Sequence, residues 1–336
     1  MSTCYLYRSV IVRIDDRGQE LDCVRIENSP AALVAEVGKA GGGVSVALEA
    51  TYGWYWAVDA LRAAGFDVHL AHPYGMRKQR RGPKRAKTDH LDALELARLL
   101  RLESLPESWI APPELREVRE LVRHRRQLTK VATSTKAGIR AGAAKHGRTI
   151  EATQLDSVAG TSALDALQLP GWFADRLASQ RRIMLLVEDE IARVDAEVDR
   201  RLKSNPDYRN LMKVKGIGPV LAAVFVVEIG DVGRFPNPAA LACWAGMTPR
   251  IDESDRRRRE GSISKEGCTL VRWAAVEAVQ RNCEPSIKKV RDDIIARRGK
   301  RARNVAKVAA ARRMLEVVYW VMRDGEARCL TKTAVA

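Results

Sequence analysis

The chain has 336 residues, 46% of them apolar, and a formal net charge of +16. That length and apolar share support two or three globular domains and exclude a disordered chain. The positive balance calls for a polyanionic partner. No apolar run is long enough to span a bilayer, and Met1 to Val12 lacks the pattern of a secretory signal, so no membrane partner is expected. Six scattered cysteines (Cys4, Cys23, Cys243, Cys268, Cys283 and Cys329) have neither zinc-ribbon spacing nor the look of a disulfide framework. A cytoplasmic, nucleoid-associated protein that handles nucleic acid is the broad class these features define.

In chain order, Tyr5 to Ile14 is rich in β-branched and aromatic residues and ends at the turn Asp15-Asp16-Arg17-Gly18, with Leu21 to Ile26 as a returning strand. Ser29-Pro30 is a helix N-cap followed by proline in the first turn, with Leu33, Val34 and Val37 as its apolar stripe. Val44 to Leu48 is a short apolar strand with Glu49 at its end. A helix over Trp54 to Ala64 and a strand over Phe66 to Leu70 follow. This order predicts a mixed α/β domain whose functional edge lies at strand C-terminal ends. A basic stretch punctuated by Gly82-Pro83, Arg77 to Lys87, then feeds into Thr88-Asp89-His90-Leu91-Asp92-Ala93. Asp89 and Asp92 lie three apart at a helix start. That spacing places them on one face, in the favourable field of the helix N-terminus. Glu49 is their candidate partner, since hard cations take oxygen ligands and serve phosphoryl transfer.

Pro112-Pro113 ends this domain, set at residues 1–112. Residues 113–205 form a middle of long helices. Glu114 to Ala144 is basic, with Arg116, Arg123 and Lys130 as candidate backbone contacts for nucleic acid. Phe173 to Leu202 repeats Met184, Val187, Ile191, Val194, Val198 and Leu202 at alternating three and four, a coiled-coil seam open to pairing within the chain or with another. Residues 206–325 form a mainly α C-terminal domain. Leu211 to Ala223 looks like a helix-hairpin-helix, with Gly216 and Gly218 permitting a tight turn that can hold a phosphate. Asn237 caps a short helix beginning at Pro238. Ile251 to Ile263 is polar and basic; it carries Ser254, Asp255 and the run Arg256, Arg257, Arg258, Arg259. No histidine adjoins Ser254, so a hydrolase triad is unsupported, but a serine beside arginines and metal-bound phosphate can attack DNA.

Three groups of residues together resemble the DEDD-type insertion-sequence transposases, the RNA-guided serine recombinases. They are Ala47-Leu48-Glu49-Ala50-Thr51-Tyr52-Gly53; Lys87-Thr88-Asp89-His90-Leu91-Asp92-Ala93; and the C-terminal series Gly216-Ile217-Gly218-Pro219, Trp244-Ala245-Gly246-Met247-Thr248-Pro249, Ser254-Asp255 and Ile263-Ser264-Lys265-Glu266-Gly267. The resemblance implies an RNase H-like N-terminal domain of the Holliday-junction-resolvase type. Glu49, Asp89 and Asp92 would then be metal ligands for Mg2+, and Ser254 the nucleophile that forms a phosphoserine link to DNA. It further implies a homo-oligomer, the insertion sequence's end DNA and target DNA as substrates, and an element-encoded guide RNA. One departure stands out: Tyr5 or Thr3 falls where the family carries its first aspartate, and neither is a carboxylate. A structure-selective nuclease that works without a serine adduct, and an inactive nucleic-acid-binding relic, are the two other readings of the same residues.

Overall fold

A computed structural model describes residues 2–4, 7–79, 88–152, 154–254, 257–280 and 283–326. The chain is a mixed α/β protein, mostly helical, that divides into two compact units, Met1–Ile110 and Ala111–Ala336.

The first unit runs β1 (Ser2–Cys4), β2 (Arg8–Ile14), β3 (Glu20–Glu27), α1 (Pro30–Gly38), β4 (Ser45–Glu49), α2 (Trp54–Ala63), β5 (Asp67–Ala71), α3 (Pro73–Gln79) and α4 (Asp89–Arg101). Its five strands form one sheet in the order β3-β2-β1-β4-β5. β1 pairs antiparallel with β2 and β2 with β3, whereas β1–β4 and β4–β5 are parallel. The stretch expected as a strand from Tyr5 is thus β2 from Arg8 onward, with a separate strand before it. The β2–β3 turn is held by Asp15, whose carboxylate accepts from the N–H groups of Arg17 (2.9 Å) and Gln19 (2.7 Å), while Gly18 takes φ +81°. Strand alternation gives the sheet two apolar faces. Ile11, Val46, Leu48, Val68 and Leu70 pack with Leu33 and Val37 of α1 and Val58 and Leu61 of α2. On the other face Val10 and Val12 meet Ala93 and Leu94 of α4, and Ala47 and Ala71 meet its Leu96 and Ala97. α3 takes up the start of the basic stretch expected as a loop; residues 80–87 lie outside the described residues.

The second unit begins with α5 (Pro113–Ala144), α6 (Val158–Asp165) and α7 (Trp172–Leu202). It continues with α8 (Pro206–Met212), α9 (Pro219–Ile229), α10 (Pro238–Trp244), β6 (Pro249–Ser254), β7 (Arg257–Ile263), α11 (Thr269–Ala278), α12 (Pro285–Arg298) and α13 (Arg303–Asp324). α5 and α7 run antiparallel, as their ion pairs fix: Glu117 with Arg201, Arg125 with Asp195, Lys136 with Glu188. Of the expected seam, Met184, Val187, Val194, Val198 and Leu202 are buried, so the seam closes inside the chain. Gly138 lies close beneath Gln180 at this crossing: a Cβ there would stand 2.6 Å from the Gln180 amide nitrogen, the movable end of a side chain. At the far end of the pair, Leu155 and Leu164 pack with Ile139, Leu177 and Met184. This closes the tip with a helix, α6, where the sequence reads as a connection. Ser157 caps α6 by accepting from the N–H of Gly160 at 3.1 Å. The remaining core forms around α9, buried from Ala222 to Ile229 among α5, α7, α8 and α11, with α13 in the same core. Val118, Val122, Val194, Val198 and Leu202 belong to that same core, so the long helices and the C-terminal segment make one unit.

Candidate active site

In the first unit, α4 starts at Asp89 because Thr88 caps it: the Thr88 hydroxyl accepts from the N–H of Leu91 at 3.3 Å. Both aspartates occupy the first turn, and Asp92 is turned inward, 9% exposed. Glu49 is the last residue of β4 and partly buried. It lies two positions beyond Ala47, which packs against α4, so strand alternation sends Glu49 to the face that α4 covers. The three predicted acids therefore share one side of the sheet. Their oxygens are not gathered to within 4.8 Å of one another; among the described residues the one set of three ligand-type side chains that close is Glu20, Cys23 and His90. Ser2 of β1 pairs with Leu48, so β1 runs beside the strand that ends at Glu49. Tyr5 lies outside the described residues. Asp15 and Asp16 stay at the β2–β3 turn, where Asp15 is committed as a cap. A donor set of carboxylate oxygens without nitrogen or sulfur fits a hard divalent cation, which fills its remaining positions with water and phosphate oxygens.

In the second unit the segment expected as a basic loop is a β-hairpin. β6 and β7 are antiparallel, with Ser254 paired to Arg257, Glu253 to Arg258 and Asp252 to Arg259. Two consecutive acids on one strand stand across from two consecutive arginines on the other, and opposite charges directly across a ladder favour this pairing. Ser254 is exposed at the strand's end, beside the tip; Asp255 and Arg256 lie outside the described residues. The hairpin's base is a close backbone crossing. Gly246 and Gly267 have φ of +69° and +97°. A Cβ on the first would stand 1.9 Å from the Glu266 carbonyl oxygen, and one on the second 1.8 Å from that of Trp244. Arg272 of α11 locks the crossing: its guanidinium donates to the carbonyls of Ala245 (3.0 Å), Gly267 (3.1 Å) and Glu266 (3.5 Å) and to the Thr269 hydroxyl (3.1 Å). Burial depresses the pKa of Arg272. Nothing in its sequence surroundings marks it out, because its partners are backbone atoms.

The basic candidates separate into inward and outward groups. Arg116 is 4% exposed, which corrects its reading as a nucleic-acid contact. Arg123 grips Glu228 of α9 through two nitrogens at 2.9 and 3.1 Å, and Arg119 donates to the Val227 carbonyl at 2.9 Å. Arg116 and Arg119 are buried on the helix face that meets the core, whereas Arg123 stays exposed and reaches Glu228 with its guanidinium. Lys130 is exposed. Gly216 needs its glycine, with φ +98°, whereas Gly218 is the N-cap of α9 at φ −94°. Two N–H groups of this turn are spent within the chain, that of Lys215 on Glu284 (3.3 Å) and that of Ile217 on Val214 (3.0 Å).

Residues 7–143 match the DEDD-type IS110 transposase domain, and residues 208–293 match the Transposase IS116/IS110/IS902 family. The chain belongs to this DEDD-type insertion-sequence transposase family. It is 26% identical to a probable family 20 transposase of Pseudomonas aeruginosa, over 68% of this chain and 69% of that protein. It is also similar to an uncharacterized 44.8 kDa protein of insertion element IS116 from Streptomyces clavuligerus (26% identity, 42% of this chain, 35% of the relative). An uncharacterized 43.6 kDa protein of IS110 from Streptomyces coelicolor is similar as well (28% identity, 50% of this chain, 39% of the relative). Among the described residues no helix is long and apolar enough to cross a membrane.

Proposed function

We propose that the chain cleaves and exchanges DNA strands at the ends of its insertion sequence, through an Mg2+-dependent reaction that passes through a phosphoserine intermediate. The observation that carries this reading is the pairing, in one chain, of two acids in the first turn of α4 with an exposed serine at the end of a clamped basic hairpin. The strand order β3-β2-β1-β4-β5, with only its last two pairings parallel, supports an RNase H-like first unit. In this reading Glu49, Asp89 and Asp92 hold the metal, whose chemistry is to neutralise charge on the scissile phosphate. The Ser254 hydroxyl oxygen attacks phosphorus as its proton passes to solvent. A bond forms from Ser254 Oγ to phosphorus, the bond to the 3′ oxygen breaks, and that oxygen leaves as a protonated 3′-hydroxyl. Arginines flanking the hairpin tip offset phosphate charge as it develops, and attack by another 3′-hydroxyl reverses the sequence and joins strands. The net charge of +16 supports polyanionic partners, and alongside the DNA we assign one such place to an element-encoded guide RNA. The working form is a homo-oligomer.

The test is incubation of the full chain with end-containing DNA, the element's RNA and Mg2+, followed by denaturing electrophoresis. A protein–DNA adduct that is absent in S254A, with cleavage lost in D89A, supports the reading. Cleavage to free ends with no adduct is the outcome of a nuclease, and salt-sensitive binding without cleavage that of an inactive relic. In that last case T3D and Y5D, tested side by side, report whether a first-strand carboxylate restores cleavage.

A further inference from the structure

Beside the catalytic pair lies a second set of ligand-type side chains with different chemistry. Glu20 and Cys23 come from β3 and His90 from the first turn of α4, and their oxygen, sulfur and nitrogen atoms all lie within 4.8 Å of one another. Residues three apart on a regular strand point to opposite faces. Here the register explains their meeting: Ile14 pairs with Glu20 but Arg13 pairs with Asp22, so Leu21 is an extra residue and the strand bulges. The bulge returns Glu20 to the face of Cys23, which pairs with Val12 and so faces α4. Bulges are a recurrent means of re-aiming a side chain next to a functional site. The His90 ring nitrogen already stands 2.7 Å from a Glu20 carboxylate oxygen.

We propose that Glu20, Cys23 and His90 bind a thiophilic divalent cation, Zn2+ above all, as a clasp joining β3 to the first turn of α4. A tetrahedral zinc with bonds of about 2.0–2.3 Å holds its ligand atoms about 3.3–3.8 Å apart. Side-chain adjustments of about 1 Å therefore complete the set, with water in the fourth position. Sulfur and imidazole donors select zinc over magnesium, so this site and the all-carboxylate set discriminate between the two ions by donor chemistry. Binding releases the Cys23 thiol proton to solvent. The clasp fixes the turn that carries Asp89 and Asp92 by a metal other than the one they take.

The experiment is titration of the full chain with Co2+, which reports thiolate coordination by a charge-transfer band and tetrahedral geometry by its visible bands, followed by displacement with Zn2+. Expected is one Co2+ per chain with a thiolate band that Zn2+ abolishes and millimolar Mg2+ leaves unchanged. Cys23→Ser should remove the band, and His90→Gln should weaken binding by about 100-fold or more, at least the loss seen when only an outer-shell partner is removed. Asp89→Asn should retain the band. A native chain without a saturable thiolate band, or a band that persists in Cys23→Ser, overturns the proposal. Circular dichroism checks the fold of each variant, and Glu20→Gln supplies the loss of affinity if Cys23→Ser fails to fold.

Discussion

The clamp beneath the serine hairpin makes a sharp prediction for Gly267→Ala. Two costs combine there. At φ +97° an L-residue sits in the left-handed region, which costs about 1–2 kcal/mol. Its Cβ would also fall 1.8 Å from the Trp244 carbonyl oxygen and 3.0 Å from the carbonyl carbon, both backbone atoms that no rotamer change can move. Forcing apart a packed crossing adds about 1–3 kcal/mol, for a total of about 2–5 kcal/mol. Gly147 is the internal control in the same unit, with φ +64° but no heavy atom within 4 Å of the place a Cβ would occupy. Gly147→Ala carries the conformational cost without a crossing, so the difference between the two variants reports the crossing. Urea unfolding followed by circular dichroism measures both. A Gly267→Ala loss within about 0.5 kcal/mol of the Gly147→Ala loss, the spread of ordinary surface substitutions, would refute the steric account of the clamp.

Three further outcomes follow from other features. Arg272→Met removes donors to three carbonyls and a hydroxyl; unfolding should show a loss of about 1.5–3 kcal/mol, and Arg272→Lys should recover less than half, because an ammonium cannot span that fork. Glu228→Ala leaves Arg119 and Arg123 without their buried carboxylate, 5% exposed; denaturant midpoints should report a loss of about 3–5 kcal/mol, and an Arg123→Ala, Glu228→Ala cycle should show strong coupling. His69 lies 2.8 Å from both Asp67 and Glu107. Burial lowers its pKa, but the two carboxylate hydrogen bonds outweigh this and raise it above 6.5. Its contribution to stability is then complete below the ordinary value of about 6.5 and is lost as pH rises through the raised folded value. Thermal unfolding should show the advantage of the native chain over His69→Gln shrinking across that window; an advantage that grows with pH contradicts the assignment.

The parts of the fold legible in the sequence are those set by local chemistry. Ser29 and Asn237 announce helix starts, and each caps its helix by accepting from the third N–H beyond it. The alternating seam from Met184 to Leu202 marks one buried face, though only the structure supplies its partner. What escaped reading depends on contacts distant in sequence. The basic stripe of α5 looked outward because arginines are mostly exposed; Arg116 and Arg119 are instead buried, and Arg119 and the exposed Arg123 both reach Glu228, a partner more than a hundred residues away. The Ser254 segment lacks apolar alternation, and its strands form through backbone pairing and cross-strand charge, so periodicity could not reveal them. The carboxylates of the candidate site were visible as spacing, and their common sheet face follows from Ala47 lying two residues before Glu49.

The first turn of α4 carries residues of both proposed ligand sets. Asp89 and Asp92 stand on it as hard oxygen donors, and His90 between them points to a sulfur and a second carboxylate on β3. A helix turn spreads successive side chains by about 100°, so one short segment can serve two ligand sets of opposite character without sharing a ligand. Mutations should therefore separate them. Changes at Asp89 act on cleavage and leave thiolate-type metal binding intact, whereas changes at Cys23 act on that binding first. A Cys23 substitution that abolished Mg2+-dependent cleavage in a chain already free of zinc would show that the two sets are one site, and the division by donor chemistry would fall.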